Sequence, residues 1–265
     1  EELHELLNTS IFERLTADVP VGVLLSGGID SSLVASLAKN NKDDIKTYSV
    51  GFENKLFDES IYAEKISDHI NTHHKNFLLE NNKIRKIIEK LPEIYDEPFG
   101  DSSQIPTYIV SRFAKQNVSV ALSGDGGDEL FCGYKRYVMS KKFWNILKYM
   151  PIPLRRILSS GIGLVSPQDW TKISNLVPSL HQYENFGDKI YKGKNLLDAK
   201  SINDLYSKLN SHWQNTTGLV INTTKPVTLM TKYEENFRGL DSQQQMMALD
   251  SITYLPDDIL VIVKN

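Results

Sequence analysis

The sequence predicts an α/β fold: a parallel sheet with helices on both faces, followed by a mainly helical region. Three observations predict it. Short apolar strand-like runs alternate with helical patterns over residues 19–130. Two of those runs end in glycine loops, Ser26-Gly27-Gly28 and Ser123-Gly124-Asp125-Gly126-Gly127. Beyond residue 130 strand signals fade and helical spacing dominates, broken by Pro151, Pro153 and Pro167. Alternation of this kind implies right-handed crossovers and parallel strands covered from both sides.

The elements follow in order. Leu3, Leu6, Leu7, Ile11 and Leu15 recur at helical spacing and predict a helix over 3–15. The apolar run Val19–Leu25 reads as a buried strand. A helix over 31–39 places Leu33, Val34 and Leu37 on one face, and a strand over 45–50 closes at Gly51. Then come a helix over 59–70, a strand over 73–79, helices over 84–91 and 104–115, and a strand over 118–122. A boundary near residue 140 divides the chain into 1–140 and a helical continuation, 141–265. No fixed-period repeat is visible.

Composition narrows the class. The chain has 265 residues, 40% of them hydrophobic and 24% charged, which is ordinary globular usage and excludes bulk disorder. Thirty basic and 33 acidic residues give a net charge of −3, which does not imply a nucleic-acid partner. The single cysteine, Cys132, cannot form an internal disulfide and has no His beside it in sequence. It reads as a small buried hydrophobe, and a reducing cytoplasm is the expected compartment. No apolar run approaches the ~20 residues of a membrane span, so no membrane partner is expected. The chain starts without Met and ends in the apolar run Ile259–Val263. That pattern raises the expectation of a truncated piece that pairs with itself as a homodimer.

The first glycine loop, Ser26-Gly27-Gly28-Ile29-Asp30-Ser31-Ser32, follows a strand and opens a helix. Its glycines allow close backbone approach, and the helix amides form an anion cradle. Ser26, Ser31 and Ser32 add hydroxyls. A carboxylate at Asp30 is tolerable beside phosphate when a divalent cation sits between them, so the loop asks for a polyphosphate with Mg²⁺. Neither a P-loop nor a Gly-x-Gly-x-x-Gly loop occurs. The second loop sets Asp125, Asp128 and Glu129 beside three glycines. An acidic helix start would account for Asp128 and Glu129. The three glycines favour a metal and substrate loop instead.

These residues carry a resemblance. Ser26-Gly-Gly-Ile-Asp-Ser31-Ser32 resembles the pyrophosphate loop of the N-type ATP pyrophosphatases. Asp96 to Thr107 (Asp-Glu-Pro-Phe-Gly-Asp-Ser-Ser-Gln-Ile-Pro-Thr), Ser123 to Leu130, and Gly133-Tyr134 resemble the synthetase domain of glutamine-dependent asparagine synthetases. The likeness is strong over residues 10–140 and returns at Tyr254-Leu-Pro-Asp-Asp-Ile-Leu260. It implies an adenine nucleotide α-hydrolase-like fold, ATP and Mg²⁺, and an aspartyl adenylate attacked by ammonia. By position it implies nucleotide contacts at Leu25, Val50, Ser123 and Gly124, and a pyrophosphate loop at Ser26, Gly27, Gly28, Asp30, Ser31 and Ser32. Metal carboxylates are implied at Asp30 and Asp128. Asp125 falls where many members have Glu, at a residue that supports the intermediate and ammonia attack. The family's glutaminase domain, with its N-terminal Cys, is an expected partner that this chain lacks. The basic catalytic residue expected after Leu260 is not assigned to Lys264.

Other features have plainer readings. His69, His73 and His74 lack further ligands at metal spacing and read as a helix end and a strand edge. Residues 131–168 hold Lys135, Arg136, Lys141, Lys142, Lys148, Arg155 and Arg156 without one acid, interleaved with aromatics. A solvated helical face is favoured there over a nucleic-acid surface. Tyr95 to Ser103 is a plain loop by composition and a substrate-pocket wall by resemblance. The competing functions are adenylation of aspartate, the same activation of another carboxylate (sugar-acid amidation or β-lactam closure), an inactive nucleotide-binding fragment, and an RNA-modifying adenylase. The absence of a second cysteine and the lack of net basic charge disfavour the last.

Overall fold

The computed structural model describes residues 1–55, 58–95, 100–177, 185–211, 228–232, 236–237 and 239–264. The chain forms two compact units, Glu1–Phe131 with Tyr254–Asn265, and Cys132–Thr253.

The first unit is the α/β unit. Its elements run α1 (Glu2–Leu15), β1 (Val21–Leu24), α2 (Ile29–Asn41), β2 (Lys46–Phe52), α3 (Ser60–Ile70), β3 (His73–Leu79), α4 (Asn81–Ile88), α5 (Leu91–Ile94), α6 (Gln104–Ala114), β4 (Val120–Leu122) and α7 (Gly127–Phe131). The strands form a parallel sheet in the order β3-β2-β1-β4 among the described residues. The register aligns Val23 with Thr47 on one side and with Leu122 on the other. Thr47 in turn aligns with His74. The chain winds outward from β1 through β2 to β3, then returns to lay β4 on the other side of β1. The winding direction therefore reverses between β1 and β4.

Alternation along each strand sends side chains to opposite faces. Val21, Val23 and Leu25 pack with Ile11, Leu15, Ala35, Ala38 and Ala63, so α1, α2 and α3 cover one face. Leu24 and Tyr48 pack with Val110, Phe113, Ala114 and Val118, so α6 covers the other. The predicted helix over 84–91 is divided, because Pro92 opens the separate short α5. The predicted strand at 118 starts later: Val118 packs in the core, while Ser119 and Val120 donate their amides to the Pro20 carbonyl. A π-helical turn, Leu255–Ile259, leads into α15 (Leu260–Lys264), which packs against α6. Ile262 is only 3% exposed, so the terminal apolar run is partly covered within this unit.

The second unit is helical among its described residues: α8 (Lys135–Leu147), α9 (Ile152–Gly163), α10 (Pro167–Ser174), α11 (Phe186–Leu196), α12 (Ile202–Asn210), α13 (Leu229–Lys232) and α14 (Ser242–Ile252). Its core gathers Tyr137, Leu147, Leu205, Tyr206, Met246 and Leu249. One polar knot lies inside it. Buried Asp250 accepts hydrogen bonds at Oδ2 from Arg136 (2.6 Å), Tyr137 (2.7 Å) and Tyr206 (2.5 Å). Burial and the bond to Asp250 both push the Tyr137 hydroxyl well above its ordinary pKa. Burial opposes the Arg136 cation, but its bonds to Asp250 and Tyr206 outweigh that and hold it charged.

Candidate active site

The reversal between β1 and β4 is a switch point in the sheet. In an open parallel sheet the loops leaving two strands at such a point diverge and leave a crevice at their carboxyl ends. Both glycine loops leave from these two strands, Ser26–Gly28 after β1 and Ser123–Gly126 after β4. The fold thus brings together segments almost a hundred residues apart in sequence.

Their contact is intimate. A Cβ on Gly124 would stand 2.7 Å from the Ser31 amide nitrogen and 3.1 Å from Asp30 Cβ. A Cβ on Gly127 would stand 2.5 Å from Asp30 Cγ and 2.7 Å from its Oδ2. Side chains at either position would displace the start of α2 or the Asp30 carboxylate. Asp30 therefore lies in the first turn of α2 directly against the residue preceding Asp128.

The first loop is held from within. Gly27 takes φ +85°, and a Cβ there would meet Tyr62 Cβ at 2.7 Å and the Ala63 amide at 2.9 Å. The Ser26 amide donates to Ser31 Oγ (3.2 Å), and the Ser26 and Ser31 hydroxyls pair at 3.0 Å. The Gly28 amide donates to Ser26 Oγ (3.3 Å). Ser31 and Ser32 hydroxyls donate to the Gly28 carbonyl at 3.3 and 2.5 Å. Three serines and the loop amides thus form a compact polar nest at the head of α2, with Ser26 and Gly28 exposed.

The remaining candidates are distributed around it. Leu25 is 1% exposed in the core and its amide donates to the Tyr48 carbonyl, so its side chain faces no ligand and its backbone lies at the loop's entry. Val50 is half-buried in β2, two residues past the Tyr48–Leu24 pair and so at the loop edge of the sheet. Ser123 and Gly124 are half-buried, Asp125 is exposed and Asp128 half-buried. Glu129, by contrast, is 1% exposed and belongs to the packing of this segment. Among the described residues no group of three His, Cys, Asp or Glu side chains could hold a metal. His73 lies 3.4 Å from Asp44, while His74 bonds Thr47 and Ser49.

Two supports escaped the sequence reading. Asp58 Oδ1 accepts the Ser60 amide at 3.1 Å and the Ser60 hydroxyl at 2.6 Å, fixing the first turn of α3, whose Tyr62 and Ala63 press on Gly27. The Ser60 hydroxyl bond pulls the Asp58 carboxyl below its ordinary pKa. An Asp two residues before a helix-opening Ser was the available signal. Tyr254 donates to Asp101 Oδ2 (3.2 Å), and Asp101 Oδ1 accepts the Ser103 amide (2.7 Å) at the head of α6. Leu255 lies 3.8 Å from where a Gly126 Cβ would stand, which sets the 254–260 segment beside the second loop. Residues 96–99 of the Asp96–Thr107 motif lie outside the described residues.

Sheet order and paired glycine loops define the class: an open parallel α/β protein with both loops at the switch point of its sheet. The chain belongs to the asparagine synthase family, whose model matches residues 2–264. It is similar to a relative in Methanocaldococcus jannaschii named for a glutamine-hydrolyzing asparagine synthetase, 39% identical over 66% of this chain and 34% of that protein. It is likewise similar to glutamine-hydrolyzing asparagine synthetase 1 of Bacillus subtilis, 38% identical over 61% of this chain and 27% of that protein. A Mycobacterium bovis relative named for the same activity is 30% identical over 98% of this chain and 38% of its own length. The chain thus spans between 27% and 38% of the length of these relatives.

Proposed function

We propose that this chain carries the ATP-dependent half of an amide-forming reaction, in which the side-chain carboxylate of aspartate is adenylated and then attacked by ammonia to give asparagine. The observation that carries this reading is the closure of the Gly124–Gly127 segment onto Asp30 and Ser31 at the β1/β4 crevice. A triphosphate seated on the first loop would present its α-phosphorus toward the second. In the first step a carboxylate oxygen of aspartate attacks that phosphorus and pyrophosphate leaves. In the second, ammonia attacks the acyl carbon and AMP leaves.

Ser26, Gly27, Gly28, Ser31 and Ser32 hold the β- and γ-phosphates in this account, their internal hydrogen bonds exchanged for phosphate oxygens. The positive end of α2 favours the anion there. The backbones at Leu25, Ser123 and Gly124, with Val50, contact the nucleoside. Asp30 and Asp128 suit Mg²⁺, a cation that keeps several waters, takes phosphate oxygens and asks for one or two carboxylates rather than a cage. When bound it offsets charge between the phosphates. Asp125, exposed at the loop tip, supports the intermediate during ammonia attack. The family's glutaminase domain is the proposed source of ammonia.

The relatives' names favour aspartate over sugar acids or β-lactam precursors as the acceptor. The test is pyrophosphate release from ATP and Mg²⁺ with aspartate, with a panel of sugar acids, and with no acceptor, each with ammonia. Aspartate alone should stimulate it. Stimulation by a sugar acid and not by aspartate would move the reading to another acceptor.

A further inference from the structure

Asp125 stands at the tip of the second loop between two glycines. Its carboxylate is exposed and has no hydrogen-bond or ion-pair partner among the described residues. Its direction is therefore set by the backbone on either side of it. On one side Gly124 is pressed against Asp30 and Ser31 at the head of α2. On the other, Gly126 takes φ +91°, a conformation that glycine enters and leaves easily. The Gly127 amide donates to the Gly124 carbonyl (3.2 Å) and the Leu130 amide to the Gly126 carbonyl (3.1 Å). Those bonds close the turn from within and do not tie Gly126 to another element. Leu255 does: its two methyl carbons lie 3.8 and 4.0 Å from where a Gly126 Cβ would stand. Chain neighbours aside, no other described group comes within 4 Å of that position.

Leu255 is itself held at both ends of its segment by α6. On its N-terminal side, Tyr254 donates to Asp101 Oδ2 (3.2 Å), while Asp101 Oδ1 accepts the Ser103 amide (2.7 Å). Tyr95, 4% exposed, donates to the Gln104 carbonyl (3.1 Å) and fixes the same turn at the head of α6. On its C-terminal side, the π turn runs into α15, which packs along α6. Helix α6 is in turn seated on the sheet through Val110 and Phe113. Leu255 thus reaches Gly126 from a braced support.

We propose that Leu255, locked by the Tyr254–Asp101 hydrogen bond, is a positioning residue that aims Asp125 for the amide-forming step. The inference rests on the role given to Asp125 above and adds what directs it. The first loop and Asp30 have different supports, on α2 and α3, where Ser31, Tyr62 and Ala63 lie. Loosening Leu255 should therefore separate the two half-reactions. Activation of the carboxylate continues, while attack by ammonia on the intermediate slows.

The experiment measures three quantities on the chain: ATP–pyrophosphate exchange with Mg²⁺ and aspartate but no ammonia, asparagine formed when ammonia is added, and hydrogen exchange at the Gly127 and Leu130 amides without nucleotide. In Leu255→Ala, asparagine formation should fall by about tenfold or more, since a small misplacement of a reacting group is costly. Pyrophosphate exchange should stay within about twofold of the parent, because the first loop keeps its own supports. Tyr254→Phe removes one hydrogen bond and should show the same split at about fivefold. Leu255→Met, which keeps the volume, should restore asparagine formation to within about threefold of the parent. Both amides should exchange faster in Leu255→Ala and Tyr254→Phe. In an Asp125→Asn background, adding Leu255→Ala should cost less than about twofold, because the group it aims is already gone. Equal loss of both reactions, loss of neither, amide exchange at the parent rate, or full additivity with Asp125→Asn overturns the inference and leaves adenylation standing. A parent chain that exchanges pyrophosphate yet forms no asparagine from ammonia does the same. A parent chain without aspartate-dependent exchange overturns the adenylation reading and this inference with it.

Discussion

Replacing Gly127 with Ala adds one methyl group at the point where the two glycine loops touch. The new Cβ would stand 2.5 Å from Asp30 Cγ and 3.0 Å from Asp30 Cβ, where ordinary contact begins at 3.4 Å. Asp30 or the loop must therefore give by about 1 Å, and a misplacement of that size in a reacting site costs on the order of 100-fold. That corresponds to about 2.7 kcal/mol of transition-state stabilisation. Overall stability should change by less than about 1 kcal/mol, since Gly127 does not need positive φ and Ala suits a helix better than Gly. Gly126→Ala is the control. It meets nothing nearer than Leu255 at 3.8 Å but sits at φ +91°. It should cost about 1–2 kcal/mol of stability from backbone strain while leaving Asp30 in place. Thermal melting and pyrophosphate release, measured on both variants, separate the two effects. Gly127→Ala turning over at the parent rate would refute the idea that the loops meet to place Asp30.

Three further outcomes are expected. Asp30→Asn should abolish Mg²⁺-dependent ATP turnover while the melting temperature holds within a few degrees, as judged by calorimetry beside the pyrophosphate assay. Asp250→Ala should destabilise the helical unit by about 3–5 kcal/mol in urea unfolding, because it strands the Arg136 cation and the hydroxyls of Tyr137 and Tyr206. Burial lowers the pKa of His74, against the upward pull of Glu64 and Asp68. The unfolded chain then takes the proton first as pH falls below its ordinary 6.5, so stability should drop from there down through the lowered folded value. In His74→Gln, urea midpoints at pH 7.5 and 5.5 should lie closer together than in the parent.

Local periodicity made much of the fold legible. The strand over 73–79 matches β3 residue for residue, and the helices at 3–15 and 104–115 match α1 and α6 to within one residue at each end. The miss at 84–91 came from Pro92, which ends one helix and opens another. Each glycine loop was legible as a strand–turn–helix corner. Their meeting was not, because it depends on β4 crossing back beside β1, and strand order leaves no local mark on the sequence. The same holds for the Asp58–Ser60 and Tyr254–Asp101 bonds. One joins a loop to the helix that props Gly27, and the other spans 153 residues. In the helical unit, seven cations without an acid read as a solvated face. Three of them prove engaged in internal contacts.

The most direct test of adenylation at these loops is ATP–pyrophosphate exchange measured without ammonia. Labelled pyrophosphate enters ATP only if the carboxylate has been activated reversibly by nucleotidyl transfer. Exchange should require both Mg²⁺ and aspartate and should be lost in Asp30→Asn. Exchange that proceeds without aspartate, or that survives Asp30→Asn at the parent rate, would contradict it.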